Sequence, residues 1–260
     1  MTGQVQLATE GALALVTLSH PARFNAMSRA MWRELRAVFE ALHQNSALRC
    51  VLIRGEGGHF CAGGDISEYA GFRFAEATLR DFHENEVWGG LQAMLDCDLP
   101  IVAQIEGNCM GAGLEIASCC DLRLASVSAR FGAPIARLGF PMAPREAALV
   151  MRAVGELTAR EMLLAAALLD AAEMKRRGFL NDVVAAGEVS AAALACAGRI
   201  SPLAPQAARL NKQSFRALAQ YPSTQAATDL IANAYRYAAT QEHREGVTAF
   251  VEKRQPRFER

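Results

Sequence analysis

Residues 109–121 read CMGAGLEIASCCD, and residues 60–66 read FCAGGDI. Each stretch follows a short apolar run, PIVAQIEG in the first case and CVLIRG in the second, which predicts a buried strand. In each, small residues then lead to an acid beside an isoleucine, Glu115 or Asp65, at the start of a predicted helix. Two units of the same plan predict an α/β fold in which both glycine turns point to one place.

The chain before and between these units alternates strands with helices. Residues 4–19 predict two strands around a tight turn, and Ser28 is the expected N-cap of the helix that follows. Residues 74–96 are mostly polar with helical spacing, and LRLAS and NDVV read as short strands.

The chain becomes almost entirely helical from about residue 145 onward. We therefore divide it into a core over residues 1–200 and a helical C-terminal region over residues 201–260. Both parts are expected to form one functional unit.

The composition limits the classes of partner. Lysine plus arginine and aspartate plus glutamate number 27 each, so a net charge of zero gives no general attraction to nucleic acid or membrane. No apolar run reaches the roughly 18 residues of a membrane span, and residues 1–10 lack a secretory signal pattern. The seven cysteines are odd in number and lie mostly in apolar runs, which favours reduced, buried thiols. We expect a globular cytoplasmic protein.

The two glycine turns suggest a specific chemistry. Small residues allow a ligand to approach the backbone closely, and two facing turns could offer two N–H donors to one oxygen that gains negative charge. Glu115 could then move a proton on the neighbouring carbon. The simpler interpretation, that these are ordinary turns and that Glu115 only serves the start of a helix, stays open at this point.

Other site types lack their signatures. Gly111 and Gly113 match only part of a dinucleotide fingerprint, because Ile116 stands where the third glycine belongs. The chain has no glycine-lysine-serine phosphate loop and no glycine-x-serine-x-glycine elbow. The cysteines and five histidines show no metal-ligand spacing, so no metal is expected.

Five segments occur along the chain in this order: HPARFNAMS, FCAGGDI, PIVAQIEGNCMGAGLEIASCCDLRLAS, ARFGAPIARLG and REGVTAFVEKRQPRF. Their order and spacing resemble the crotonase family, the enoyl-CoA hydratase/isomerase superfamily, along nearly the whole chain. The resemblance implies a spiral of ββα units with a helical C-terminal region that packs trimers, or hexamers of two trimers. It also implies an acyl-CoA thioester as ligand, with CoA as part of the substrate and no further cofactor.

The resemblance implies roles for residues in both glycine turns. By position, the backbone N–H groups of Gly64 and Ala112 form the oxyanion hole for the thioester oxygen, and Glu115 is the acid/base. Ala62, Gly64 and Ile66 fall along the adenine end of CoA.

Two basic residues match positions that contact the CoA phosphates in this family. Arg23 lies in HPARFNAM, and Lys253 lies in FVEKR, where a neighbouring subunit is implied to reach the same phosphates. The alternative for both is a solvated surface charge.

One residue departs from the hydratase pattern. Hydratases of the family hold a water between two glutamates, and the second falls at Ile135 in this chain. Ile135, Met142 and Glu146 are expected to line the acyl pocket. Glu146 either substitutes for the lost acid or only starts the helix after Pro144, and we favour the helix start.

The polar segment 74–96 borders the same expected pocket. It offers His83, Glu84 and Glu86, and we favour a solvated helix face for all three. His59 is interpreted as a loop histidine.

Our first hypothesis is therefore an enoyl-CoA hydratase/isomerase-type enzyme that acts through a stabilised enolate with Glu115 as acid/base. The alternatives are an acyl-CoA-binding protein with little turnover, or a specialised lyase, decarboxylase or hydrolase with an unrecognised second group.

Overall fold

The computed structural model of the protein describes residues 2–218 and seven later positions: Gln241, Glu245, Ala249, Glu252, Arg254, Gln255 and Arg257. Lys253 lies outside the described residues. Within the described part, no helix is long and apolar enough to cross a bilayer, and no three His, Cys, Asp or Glu side chains gather as metal ligands.

Two sheets organise the core. The strands are β1 (Gln4–Glu10), β2 (Leu13–Ser19), β3 (Cys50–Gly55), β4 (Ile101–Ile105), β5 (Asn108–Met110), β6 (Leu122–Ser126), β7 (Arg130–Gly132), β8 (Leu168–Asp170) and β9 (Asp182–Val184). The larger sheet has the order β1-β2-β3-β4-β6-β9, and it is parallel except for the β1-β2 hairpin. The smaller sheet has the order β5-β7-β8.

Helices cover the sheets and carry the rest of the chain. They are α1 (Arg29–Gln44), α2 (Glu76–Asp81), α3 (Trp88–Asp96), α4 (Ala112–Ser118), α5 (Pro144–Val154), α6 (Glu156–Leu164), α7 (Ala171–Arg176), α8 (Val189–Ile200) and α9 (Pro205–Leu218). A π-helical segment, Phe82–Val87, joins α2 to α3, and short 3-10 turns span Pro21–Arg23, Ile66–Gly71 and Ile135–Leu138.

The central strands of the larger sheet, β3 and β4, are buried on both faces, as their apolar sequences require, whereas the edge strand β1 is mostly exposed. Val51 and Ile53 of β3 belong to the cluster that includes the apolar face of α1, whereas Leu52 packs on the other face with α8. All five residues of β4 are buried. This rigid sheet fixes the carboxyl ends of β3 and β4, from which both glycine turns emerge.

Most of the predicted elements are confirmed. The hairpin, the Ser28 cap, and the strands of both glycine units lie where expected, and the Ser28 hydroxyl accepts a hydrogen bond from the Met31 N–H (3.3 Å). All seven cysteines are free and buried, which confirms the expected thiols. The strands β5, β7 and β8 were not predicted, because three residues are too few to show an alternating pattern.

The C-terminal region begins as predicted with a helix. α9 packs on the core through Lys212, whose ammonium lies 2.8 Å from Asp121 and donates to the Leu99 carbonyl (2.8 Å). Arg216 pairs with Asp98 at 2.8 Å. The predicted helices beyond α9 fall almost wholly outside the described residues.

Candidate active site

The two glycine turns meet through a parallel bridge between Cys61 and Cys109. The Met110 N–H donates to the Cys61 carbonyl (2.9 Å), and the Cys61 N–H donates to the Asn108 carbonyl (2.8 Å). The chain therefore runs in the same direction through both segments, so the turns that follow them lie side by side. This confirms the prediction that both turns point to one place.

Glycine is required in these turns by conformation and by space. Gly63 has φ +114° and Gly111 has φ +47°, which residues with a side chain rarely adopt. A Cβ on Gly113 would lie 2.5 Å from the Cys61 carbonyl oxygen. The close approach of the two segments therefore depends on the absence of side chains.

The N–H groups of Gly64 and Ala112 are available to a ligand. Their neighbours are used, since the Asp65 N–H donates to the Met27 carbonyl (2.9 Å) and the Gly111 N–H to the Gly132 carbonyl (2.9 Å). Within the described chain, neither Gly64 nor Ala112 has an acceptor for its backbone N–H. Both residues line one cavity.

The cavity has a volume of about 320 Å³ and a mainly apolar wall. That size suits part of a small-molecule ligand. Its wall includes Trp32, Phe82, Val87, Met110, Ile135, Leu138, Phe140 and Met142, together with polar groups of Tyr69, Arg73, His83, Glu115 and Arg137.

Glu115 lies in the first turn of α4, with its side chain in this cavity. The residue is only 9% exposed, and no described residue hydrogen-bonds its carboxyl group. Burial, and secondly the negative charge of Glu146, raise the pKa of Glu115 to about 8. A carboxyl group with this pKa is mostly protonated at neutral pH and is poised for proton transfer.

Glu146 lies in the first turn of α5, as the helix-start interpretation predicts. It is also almost fully buried, and its Oε1 lies 3.1 Å from Nδ1 of His83. The negative charge of Glu146 contributes to the raised pKa of Glu115. Ile135 and Met142 line the cavity as expected, but the prediction that Glu146 lines it is wrong, because Glu146 lies behind His83, which forms the wall.

The prediction of a solvated face was wrong for two of the three residues in segment 74–96. The His83 side chain is 21% exposed and faces the cavity. Glu86 is buried, and its carboxylate receives two hydrogen bonds from Arg29 and one from Arg33, each 2.8 Å long. Glu84 is partly exposed, in agreement with the predicted solvated face, and pairs with Arg145 (3.2 Å).

These errors have one physical source. The π-helical turn Phe82–Val87 adds a residue to the helical repeat, so positions counted at 3.6 residues per turn fall on a different face. The three hydrogen bonds from Arg29 and Arg33 then fix this segment against α1.

Sequence reasoning missed three polar side chains in the cavity wall, those of Tyr69, Arg73 and Arg137. The Tyr69 hydroxyl packs against Gly64, where a Cβ would overlap with it. The Arg73 guanidinium lies 4.5 Å from the Tyr69 ring centroid and 3.9 Å from that of Phe140. The aromatic and basic residues of 69–73 are the signal that could have indicated the first two.

The residues assigned to CoA lie in different surroundings. Ala62 and Ile66 line the cavity, with Ile66 more than half exposed. Arg23 is exposed, lies outside the cavity wall, and has no described partner for its side chain. His59 is a loop residue, as predicted. Its Nδ1 accepts a hydrogen bond from the Asn108 N–H (3.1 Å), so it has a structural partner.

Comparison with known proteins gives concordant matches. A sequence model described as enoyl-CoA hydratase/isomerase matches residues 8–260. A probable enoyl-CoA hydratase of Rhizobium meliloti is 31% identical over 250 residues, 96% of this chain and 95% of the relative. The 2,3-dehydroadipyl-CoA hydratase of Escherichia coli is 32% identical over 245 residues, 94% of each protein.

A solved structure is also similar over the full length. An enoyl-CoA hydratase/carnithine racemase from Magnetospirillum magneticum has a TM-score of 0.93 and 35% identity, covering 100% of this chain and 96% of that one. The similarity therefore extends over the whole fold and is not confined to one motif.

Proposed function

The chain belongs to the enoyl-CoA hydratase/isomerase family and has its crotonase fold, and from this premise we propose a mechanism for its own site. The thioester oxygen of an acyl-CoA binds between the N–H groups of Gly64 and Ala112. Glu115 moves the proton at Cα of the acyl chain, and the two N–H donors stabilise the enolate that forms.

One observation carries this proposal: two backbone N–H groups without described acceptors line the same cavity as a buried, unpaired carboxyl group. Enolate formation places negative charge on the thioester oxygen, and preorganised N–H donors typically supply about 3–4 kcal/mol to such a transition state. The high pKa of Glu115 reduces the energetic gap to the weakly acidic Cα proton. The apolar wall excludes water, which strengthens both effects.

The site supports two reactions that share this enolate. Isomerisation between 3-enoyl and 2-enoyl thioesters needs one group that removes a proton and returns it to another carbon. Hydration of a 2-enoyl thioester needs a second group as well, because a proton leaves water while another is delivered to Cα. Ile135, which is apolar, cannot be that second group.

The test uses both reactions. Purified protein is assayed for hydration of crotonyl-CoA and for conversion of 3-enoyl-CoA into 2-enoyl-CoA, and Glu115→Gln is assayed beside it. We expect turnover in at least one assay and a loss of ~10²-fold or more in the variant. Activity that survives in Glu115→Gln would exclude Glu115 as the acid/base. Calorimetric binding of acyl-CoA without turnover would instead support a binding protein.

The assembly and the location of the protein belong to the same proposal. CoA enters as part of the substrate, and Arg23 is suited to a CoA phosphate because its guanidinium is exposed and has no described partner. Lys253 of a neighbouring subunit is proposed to reach the same phosphates in a trimer or hexamer. Seven free thiols support a reducing compartment such as the cytoplasm.

A further inference from the structure

His83, in the cavity wall, forms a hydrogen-bonded pair with Glu146, which lies buried behind it. Their side chains are 21% and 3% exposed, so the imidazole reaches the cavity while the carboxyl group is enclosed. The pair joins the π-helical segment to α5. π-Helical turns interrupt a helix at an energetic cost and occur often at functional sites.

The partners fix which nitrogen of His83 is available. An ionised carboxylate can only accept hydrogen bonds, so the contact of Nδ1 with Glu146 (3.1 Å) places the ring hydrogen on Nδ1. Nε2 of the neutral ring is then left with its lone pair. Among the described residues, no donor is bonded to Nε2. A carboxylate behind a histidine orients the ring and stabilises the imidazolium when it forms.

Glu115 supplies the proton donor of the site. Since its pKa is raised to about 8, the group mostly carries a proton at neutral pH, whereas a neutral His83 can accept one. Hydration needs one group in each state. Ile135 stands where the family pattern has the second acid, and His83 brings a titratable group to the same cavity.

We propose that His83, oriented by Glu146, is the second acid/base group of this site and activates the water that adds to Cβ of an enoyl-CoA. The inference rests on the proposed function, because it assigns one proton transfer within that reaction. His83 is the catalytic residue of the pair, and Glu146 is a positioning residue.

The protons and bonds balance within one turnover. A proton of water passes to Nε2 of His83 while the water oxygen bonds to Cβ. The electron pair of the Cα–Cβ double bond moves to give the enolate, which takes the proton of Glu115 at Cα. The proton on the imidazolium then returns to the Glu115 carboxylate through water, so that the enzyme is restored and one water has been added.

Tyr69 is the competing candidate for this role. Its hydroxyl lies beside Gly64, and its pKa is raised, chiefly by burial, so that it stays protonated. A protonated phenol can donate a proton but cannot accept one from water. It therefore fits the role of an acid, which Glu115 already fills, better than the missing base.

The test separates hydration from proton exchange at Cα. His83→Gln is assayed for crotonyl-CoA hydration and for deuterium incorporation into butyryl-CoA in D₂O, which requires only Glu115. We expect hydration kcat to fall ~10²-fold or more while exchange changes less than about threefold, because only hydration uses the second group. Glu84→Gln, at a partly exposed neighbour on the same segment, serves as the matched control and is expected to retain both.

Glu146→Gln tests the positioning role. It removes the charge that stabilises the imidazolium but keeps a hydrogen-bond acceptor, so hydration kcat is expected to fall ~10-fold or more while KM stays nearly constant. Imidazole added to His83→Ala is expected to restore part of the hydration rate.

The outcomes are distinguishable. Wild-type protein that exchanges and hydrates, with a His83→Gln variant that hydrates at the wild-type rate, would overturn this inference and leave the proposed function standing. Loss of hydration in Tyr69→Phe together with full hydration in His83→Gln would assign the role to Tyr69 and equally overturn it. Wild-type protein inactive in both assays would overturn the proposed function as well.

Discussion

Nδ1 of His83 lies 3.1 Å from Oε1 of Glu146, although 63 residues separate the two in the chain. The imidazole of His83 lies in the cavity wall, and the Glu146 carboxylate is buried behind it. The negative charge of Glu146 helps to raise the pKa of Glu115. The site therefore brings His83 and Glu146 near Glu115, where the family motif at Ile135 indicates the loss of one acid. The effect of the Glu146 charge on Glu115 leads to predictions for pH dependence as well as for single substitutions.

The pH profile of proton exchange reports the state of Glu115. Only the carboxylate accepts the Cα proton, so kcat/KM for exchange is expected to rise with pH through a midpoint of about 8. Glu146→Gln removes a nearby negative charge and is expected to move the midpoint downward. Burial, the larger cause, remains, so the midpoint stays above 4.5. An unchanged or higher midpoint in Glu146→Gln would contradict the coupling, and Glu84→Gln is the control.

Stability should depend on pH through the same group. The folded pKa of Glu115, about 8, lies above the ordinary value of 4.5 for a glutamate carboxyl group. Its contribution is therefore fully present below pH 4.5 and is lost as pH rises toward 8. Glu115→Gln lacks this loss, so the variant should gain stability relative to wild type over that range, by ~3–5 kcal/mol.

Urea unfolding of both proteins at pH 5 and pH 8.5 measures this difference. A stability difference between the two proteins that is the same at both pH values would show that Glu115 is ionised in the folded protein throughout the range and would contradict its raised pKa.

The approach of the two turns depends on Gly113. A Cβ there would lie 2.5 Å from the Cys61 carbonyl oxygen, so Gly113→Ala must displace α4 from the bridge. We expect a loss of ~1–3 kcal/mol in unfolding free energy, as for other overpacked sites, together with a loss of turnover. Gly198→Ala is the matched control, because nothing lies within 4 Å of the added Cβ. Alanine at this position, in the last turn of α8, should instead stabilise by ~0.5 kcal/mol. Equal effects in the two variants would refute the steric argument.

Arg73 bears on the choice of acyl chain. Its guanidinium packs against Tyr69 and Phe140 in the cavity wall, and no described carboxylate pairs with it. We expect the Arg73→Met variant to bind an acyl-CoA whose acyl chain ends in a carboxylate ~10-fold more weakly than wild type does. This corresponds to the loss of one charge-assisted hydrogen bond between Arg73 and that carboxylate, about 1.5 kcal/mol. Competition assays with glutaconyl-CoA and crotonyl-CoA measure the change. An equal loss for both thioesters would place the contact on the CoA phosphates instead.

Much of the fold could be predicted because its signals are local. The buried strands before each glycine turn are continuous apolar runs, and Ser28 is an N-cap followed by a strongly amphipathic helix. The glycines could be predicted to matter because the backbone requires them: Gly111 has a positive φ, and Gly113 leaves no room for a Cβ.

The second half of the site could not be predicted in the same way. His83 and Glu146 are adjacent because the π-helical turn places His83 on the side that faces α5. Neither this turn nor the contact can be recognised from a sequence pattern. Glu86 appeared to be a surface acid for the same reason, although Arg29 and Arg33 enclose it. Local pattern identifies the turns and Glu115, whereas tertiary packing decides which distant polar residues join them.

The most direct test of the account is deuterium exchange at Cα of butyryl-CoA, followed by NMR in D₂O with wild-type protein and with Glu115→Gln. The account predicts that wild type replaces the Cα proton and that the variant does so ~10²-fold more slowly or worse. Wild-type protein that binds butyryl-CoA but leaves its Cα proton in place, or a Glu115→Gln variant that exchanges at the wild-type rate, would contradict it.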